Sequence, residues 1–313
     1  MILVTGASGF VGHHLMRELR ARGIAACGTA RRADPNQPGL RIVDGLGADT
    51  DWMPSLVGIS AVVHLAARVH VLDETAADAL AIFRATNVAG TVKLARDAVH
   101  AGVRRFVFLS SVKANGEATP GAPFTERDVP RPEDPYGISK VEAEQALRAL
   151  ERETGLEVAI LRPPLVYGPE VRANFLRMMR WIDRGIPLPL AAVRNARSLV
   201  YVGNLVDAII RCLELPAAAG KTFLVDDREL VSTPALLREI GTALARPAKL
   251  FPVSPRLLRA AAVMIGRRED ARRILDDLVV DSSSIRAILG WSPPFTRKDG
   301  LMATAAWFRS GPR

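Results

Sequence analysis

The stretch Thr5-Gly6-Ala7-Ser8-Gly9-Phe10-Val11-Gly12 constrains the fold more than any other part of the chain. It follows an apolar run at residues 2–5 and opens an amphipathic run at 11–22, so its glycines lie in a strand–turn–helix context. The spacing G-x-x-G-x-x-G allows a tight backbone turn and lets an anion approach where a Cβ would otherwise stand. The helix behind it offers free N–H groups and a partial positive charge. Gly6, Ser8, Gly9, Phe10, Val11 and Gly12 therefore read as a cradle for the pyrophosphate of a dinucleotide.

The rest of the first half repeats the same alternation. Runs at 2–5, 24–29, 41–43, 61–65, 105–110 and 157–161 read as strands, most of them continuously apolar, as strands covered on both faces are. Helical patterns lie between them at 11–22, about 75–101 and 135–154. Gly23, Gly102 and Gly155 follow these patterns, where a left-handed cap favours glycine. The alternation predicts an α/β fold with a doubly wound parallel sheet. Beyond residue 161 helices are expected at 171–184, 203–215, 233–245, 255–266 and 282–289, with a strand at 221–225, giving a smaller, mostly helical lobe. The run PRLLRAAAVMIG at 255–266 is apolar with basic flanks; it is expected as a core helix of that lobe, with a membrane-surface helix as the alternative.

Hydrophobic residues make up 49% of the 313 and charged residues 24%, as in ordinary globular chains. No run is long enough to span a bilayer, and MILVTGASGF lacks the features of a signal peptide. Cys27 and Cys212 are isolated, which argues against a disulfide framework or a zinc site. A cytoplasmic enzyme is the expectation. The net charge of +9 comes from scattered arginines with few aromatics, which argues against nucleic acid and fits a diphosphate-bearing ligand.

The second strand is followed by Arg31 and Arg32, with Asp34 beyond, where NAD sites usually place an acid for the ribose hydroxyl. A guanidinium there suits a 2′-phosphate, so NADP is expected, with NAD as the alternative. Fold geometry places Asp44 near the adenine and the small residues Leu65, Ala66 and Ala67 along the cofactor. In PYGISK, Tyr136 and Lys140 are four residues apart and share a helix face. Ser111 ends the fifth strand, at the sheet edge where ligands bind in this architecture. A phenol titrates near 10, and an adjacent ammonium is expected to lower it toward proton transfer at neutral pH. Ser111, Tyr136 and Lys140 are the candidate catalytic set, with Tyr136 and Lys140 also meeting the cofactor.

Together, TGASGFVG, VVHLAA, NVAGT, FVFLSS, PYGISK, LRPPLVYGP, RSLVYVGNLVDAI and VVDSSSIRAILGW make the chain resemble an extended short-chain dehydrogenase/reductase of the nucleotide-sugar epimerase/dehydratase family. The resemblance implies a Rossmann-type domain at 1–163, rejoined by 199–226, with a substrate lobe from 164–198 and 227–313. It implies NAD(P), a nucleotide-sugar substrate and a homodimer. It adds Asn87, Pro163 and Val166 to the cofactor set, and Ser111, Asn174, Arg197 and Arg272 to the substrate set; Arg273 is the alternative to Arg272.

Departures narrow the chemistry. Val112 and Lys113 stand where the family's 4,6-dehydratases carry an acidic pair, which argues against dehydration, and neither cysteine matches the fucose-synthase-like branch. His70 reads as a loop histidine, with a pocket role as the alternative. A 4-ketoreductase using NADPH is the favoured expectation, because no acid directly follows the second strand. The alternatives are a UDP-sugar 4-epimerase with retained NAD, and a non-catalytic NADP-binding regulator.

Overall fold

A computed structural model describes residues 1–31, 39–69 and 76–311. Among the described residues the strands are β1 (Ile2–Thr5), β2 (Ala26–Ala30), β3 (Arg41–Ile42), β4 (Ala61–His64), β5 (Arg105–Leu109), β6 (Glu157–Arg162), β7 (Leu165–Tyr167), β8 (Leu199–Tyr201) and β9 (Thr222–Leu224). The helices are α1 (Phe10–Ala21), α2 (Met53–Leu56), α3 (Ala76–Phe83), α4 (Gly90–His100), α5 (Pro135–Thr154) and α6 (Ala173–Asp183). They continue as α7 (Val202–Glu214), α8 (Thr233–Leu244), α9 (Pro255–Met264), α10 (Arg268–Leu275), α11 (Ser283–Leu289) and α12 (Arg297–Ser310).

Seven strands form one parallel sheet in the order β3-β2-β1-β4-β5-β6-β9, and β7 pairs with β8. The chain reverses its winding between β1 and β4, which opens a crevice at their carboxyl ends. Alternate strand residues feed two cores, as the pleat requires. Val4, Val63, Val107 and Ala159 face α1 and α7, whereas Leu3, Val62, Phe106, Phe108, Val158 and Ile160 face α4 and α5. This Rossmann-type doubly wound sheet agrees with the sequence pattern. A third core, built on Tyr167, Phe175, Met179, Leu236, Ile240 and Leu301, joins α6, α8 and α12.

Local rules set the ends of α5. The Asp134 side chain accepts from the Gly137 N–H at 2.6 Å, Pro135 occupies the first turn, and Gly155 closes the helix at φ 74°. Two expectations need correction. The long helix at about 75–101 is interrupted by a π-helical turn, Arg84–Ala89, between α3 and α4. The run at 255–266 is helical, but α9 buries none of its residues, so it is not a core helix. Among the described residues no helix is long and apolar enough to cross a membrane.

Candidate active site

The glycine turn is fixed by contacts that exclude side chains. A Cβ on Gly12 would lie 2.1 Å from the Gly6 carbonyl oxygen, and one on Gly6, at φ 69°, would lie 2.8 Å from the Ala66 nitrogen. Gly9 caps α1 without a side-chain hydrogen bond, and the first turn carries no acid, so its N–H groups remain available to an anion. Ser8 and Gly9 are exposed, Phe10 and Val11 half-buried, Gly12 buried. Arg31 is exposed just past β2, and Asp44 is exposed beyond β3. Leu65, Ala66 and Ala67 are half-buried after β4, against the cradle. Arg32, Asp34 and His70 lie outside the described residues.

Tyr136 and Lys140 occupy the head of α5. Tyr136 is half-buried with its ring edge-on to Phe83 at 6.0 Å. Lys140 is buried, its Nζ 4.1 Å from the centre of the Phe108 ring. Burial pulls the Lys140 amine down to about 7, against the opposing pull of Glu144. Burial, and after it the Asp134 carboxylate, pushes the Tyr136 phenol above its ordinary value. The expected lowering of the phenol by its neighbouring amine is thus not a property of the protein alone, because desolvation penalises phenolate and ammonium alike. Ser111 caps the 3-10 turn Val112–Ala114, accepting from the Lys113 N–H at 3.2 Å. That turn seats on α5: Gly137 has no room for a Cβ, which would lie 2.9 Å from the Lys113 carbonyl oxygen. Lys113 pairs with Asp134 and with Glu117 at 2.7 Å.

The spacing of motifs does not reveal the groups that brace this pair. Glu144, one turn beyond Lys140, accepts from Ser110 and from Arg162 Nε at 3.0 Å, and Arg162 donates to Asn115 at 3.0 Å. Glu144 and Arg162 are both nearly inaccessible, so the end of β6 is tied to α5 by a buried ion pair and the end of β5 by the Ser110 hydrogen bond. Pro163, just past β6, accepts from the Val112 N–H at 3.0 Å, and Val166 is half-buried in β7. Asn87, in the π-helical turn, donates to the Arg68 carbonyl and to Ser139 Oγ, both at 3.0 Å, and accepts from the Arg68 N–H at 2.8 Å. Its amide therefore braces the β4 loop against α5, since Ser139 donates in turn to the Tyr136 carbonyl at 2.7 Å. His64 closes the same side. Thr91 donates to the Asn87 carbonyl, so it accepts from His64 Nε2–H at 2.9 Å, and Thr5 donates to His64 Nδ1 at 2.7 Å. Burial holds this imidazole neutral, its pKa lowered to about 3.

Across the crevice, Asn174 is half-buried in the first turn of α6. Arg197 donates to the Asp276 carbonyl at 3.0 Å, and burial lowers its pKa. Arg272 is held by Glu133 at 2.6 and 3.2 Å, so the guanidinium expected to meet a phosphate is already in an ion pair. Arg273 is exposed. Among the described residues no group of His, Cys, Asp and Glu could hold a metal ion.

Comparison with known proteins places this geometry. Residues 2–225 match the model of the NAD dependent epimerase/dehydratase family. A UDP-glucose 4-epimerase of Vibrio cholerae is 43% identical over 311 residues, covering 98% of this chain and 95% of that protein. A UDP-glucose 4-epimerase of Mycolicibacterium smegmatis is 30% identical, covering 98% of both. Among solved structures, MoeE5 in complex with UDP-glucuronic acid and NAD superposes with a TM-score of 0.80 at 26% identity, covering 99% of both chains. The chain therefore belongs to the NAD dependent epimerase/dehydratase family.

Proposed function

We propose that this protein is a UDP-hexose 4-epimerase that retains NAD. The enzymatic part rests on one observation: Tyr136 and Lys140 sit one helical turn apart at the head of α5, the amine buried and the phenol partly so, beside the carboxyl ends of β4 and β5. The choice of epimerase is supported by the near full-length likeness to the Vibrio cholerae UDP-glucose 4-epimerase.

The residues fit a dinucleotide: Gly6 and Gly12 exclude side chains from the turn, and α1 opens with neither an acid nor a side-chain cap. Gly6, Ser8, Gly9, Phe10, Val11 and Gly12 would hold its pyrophosphate, and Leu65–Ala67, Pro163 and Val166 its length. Bound there, a nicotinamide supplies the hydride acceptor and donor. The chain handles the protons. As the phenolate, Tyr136 Oη takes the proton of the C4 hydroxyl, becoming the phenol, and later returns it, and Ser111 orients that oxygen. Lys140, one helical turn along α5, supplies positive charge that favours the phenolate while the amine is protonated; burial pulls that amine down to about 7. Asn174, Arg197 and Arg272 grip the diphosphate, with Arg272 leaving Glu133 as it does so. A grip at the diphosphate leaves the hexose free to turn, and epimerisation requires both faces of the 4-keto sugar to be presented.

A 4-ketoreductase is the second reading, favoured by the exposed Arg31 just past β2. Denaturing the purified protein and identifying the released cofactor tests both. NAD(H), with UDP-glucose and UDP-galactose interconverted without net cofactor consumption, is the expected result. An empty protein that consumes NADPH with a 4-keto sugar would overturn the epimerase and establish the reductase.

A further inference from the structure

The helices of the second lobe differ in how they use their apolar residues. Leu236, Leu237, Ile240 and Leu244 of α8 are buried, whereas α9 buries nothing. Leu257, Val263 and Met264 of α9 are 64%, 60% and 82% exposed, and Ile265, in the turn to α10, is 69% exposed. Leu257, Ala261 and Met264 are spaced i, i+4, i+7 and share one face. Leu258 and Ala262 lie on another; both are half-buried, and Leu258 packs against the third core. The helix is thus seated by one side and presents a second apolar side outward, an arrangement that usually marks an interaction surface.

The charge around this face is mainly positive, although Glu269 and Asp270 open α10. Arg256, Arg267, Arg268 and Arg273 are exposed, and none has an ion-pair partner among the described residues. The nearby acids Asp276 and Glu269 face Arg259 and Arg272. We propose that α9 and its turn into α10 form a docking element that seats the protein on an anionic lipid bilayer. Apolar side chains on one face of a short helix enter the boundary between headgroups and acyl chains, while flanking guanidiniums meet lipid phosphates. A second copy is a poorer occupant, because a two-fold contact would bring each arginine cluster against its own copy. The element adjoins the candidate diphosphate grip, since Arg259 pairs with Asp276 at 2.8 Å and the Asp276 carbonyl accepts from Arg197.

Co-sedimentation of the full-length protein with vesicles tests this, using phosphatidylcholine alone and phosphatidylcholine mixed with phosphatidylglycerol. The protein is expected to sediment with the anionic vesicles only, and less so as salt rises. Arg256→Gln with Arg268→Gln should lower the partition coefficient about thirtyfold, at about fivefold per removed charge. Met264→Asp with Ile265→Asp should lower it by about tenfold or more. Both pairs should keep the wild-type circular dichroism and sugar-nucleotide turnover. The proposal fails if anionic vesicles leave the protein in solution, or if neither pair of substitutions weakens binding. It also fails if the face instead holds a dimer that Met264→Asp dissociates.

Discussion

The glycine turn before α1 and the first turn of α5 both open helices onto the same end of the sheet, but they are built in opposite ways. The cradle works by the absence of side chains: Gly6 and Gly12 leave the backbone close to itself and open to a ligand. The candidate catalytic pair is defined by the presence of side chains, Lys140 buried against Phe108 and Tyr136 half-buried beside Phe83. A steric device needs little support beyond its own backbone. An electrostatic device does, because desolvation makes the buried amine and the half-buried phenol both resist ionisation. The support is the set of braces around α5: Glu144 with Arg162 and Ser110, and Asn87 with Ser139.

The two regions should separate when each is damaged. Tyr136→Phe removes the proton carrier and leaves the cradle intact, so turnover should fall by about 100- to 10,000-fold while bound dinucleotide is still released on denaturation. Gly12→Ala should do the reverse at the binding stage, because its Cβ would meet the Gly6 carbonyl at 2.1 Å; the purified variant should carry no dinucleotide. If Tyr136→Phe also lost its dinucleotide, the two regions would be one unit and the contrast would fail. Next in size is the brace. Glu144→Ala strands the buried Arg162 guanidinium and should cost about 3–5 kcal/mol in denaturant unfolding. A cost below about 1 kcal/mol would mean that α5 needs no such support.

The same contrast explains what could be read in advance. The cradle was legible because a steric requirement is written as glycine at fixed spacing. The sheet was legible because strands covered on both faces show continuous apolar runs, and α5 because Asp134-Pro135 and Gly155 mark its ends. The braces were not: Glu144 and Arg162 are ordinary charged residues until β6 and α5 bring them together. The raised phenol was missed for the same reason, since burial is a tertiary quantity. The π-helical turn has no breaker in RATNVA to announce it. Helix α12 does carry a signal, the capping box of Thr296 and Asp299 ahead of LMATAAWF. The exposure of α9 could not be read from its composition, because apolar residues say that a face wants cover and not what covers it.

Protons report on the buried groups directly. Lys140 titrates near 7 when folded against an ordinary 10.5, so from pH 10.5 down to 7 the unfolded chain binds more protons and stability is lost as pH falls. His64, at about 3 against 6.5, has the same sign in a lower window, from pH 6.5 downward. Lys140→Met should therefore gain on the wild type as pH falls from 10 to 7, by up to about 1.4 kcal/mol per pH unit, and His64→Asn should do so only below about 6.5. A constant difference between wild type and Lys140→Met across pH 7–10 would show that the amine is not desolvated.

The smallest expected effect concerns the far end of the cofactor, where the two devices could trade places. Arg31 is a charged side chain at the rim of the steric cradle, and it is exposed. A guanidinium that grips a 2′-phosphate contributes a charge-assisted hydrogen bond, so removing it should weaken NADP binding by about tenfold or more. NAD carries no such phosphate. For a protein that retains NAD, Arg31→Ala should change its affinity by less than about threefold, measured by titrating the stripped protein with each dinucleotide. A selective tenfold loss for NADP, together with tighter binding of NADP than of NAD by the unaltered protein, would make recognition here electrostatic as well as steric. It would also favour the 4-ketoreductase over the proposed 4-epimerase.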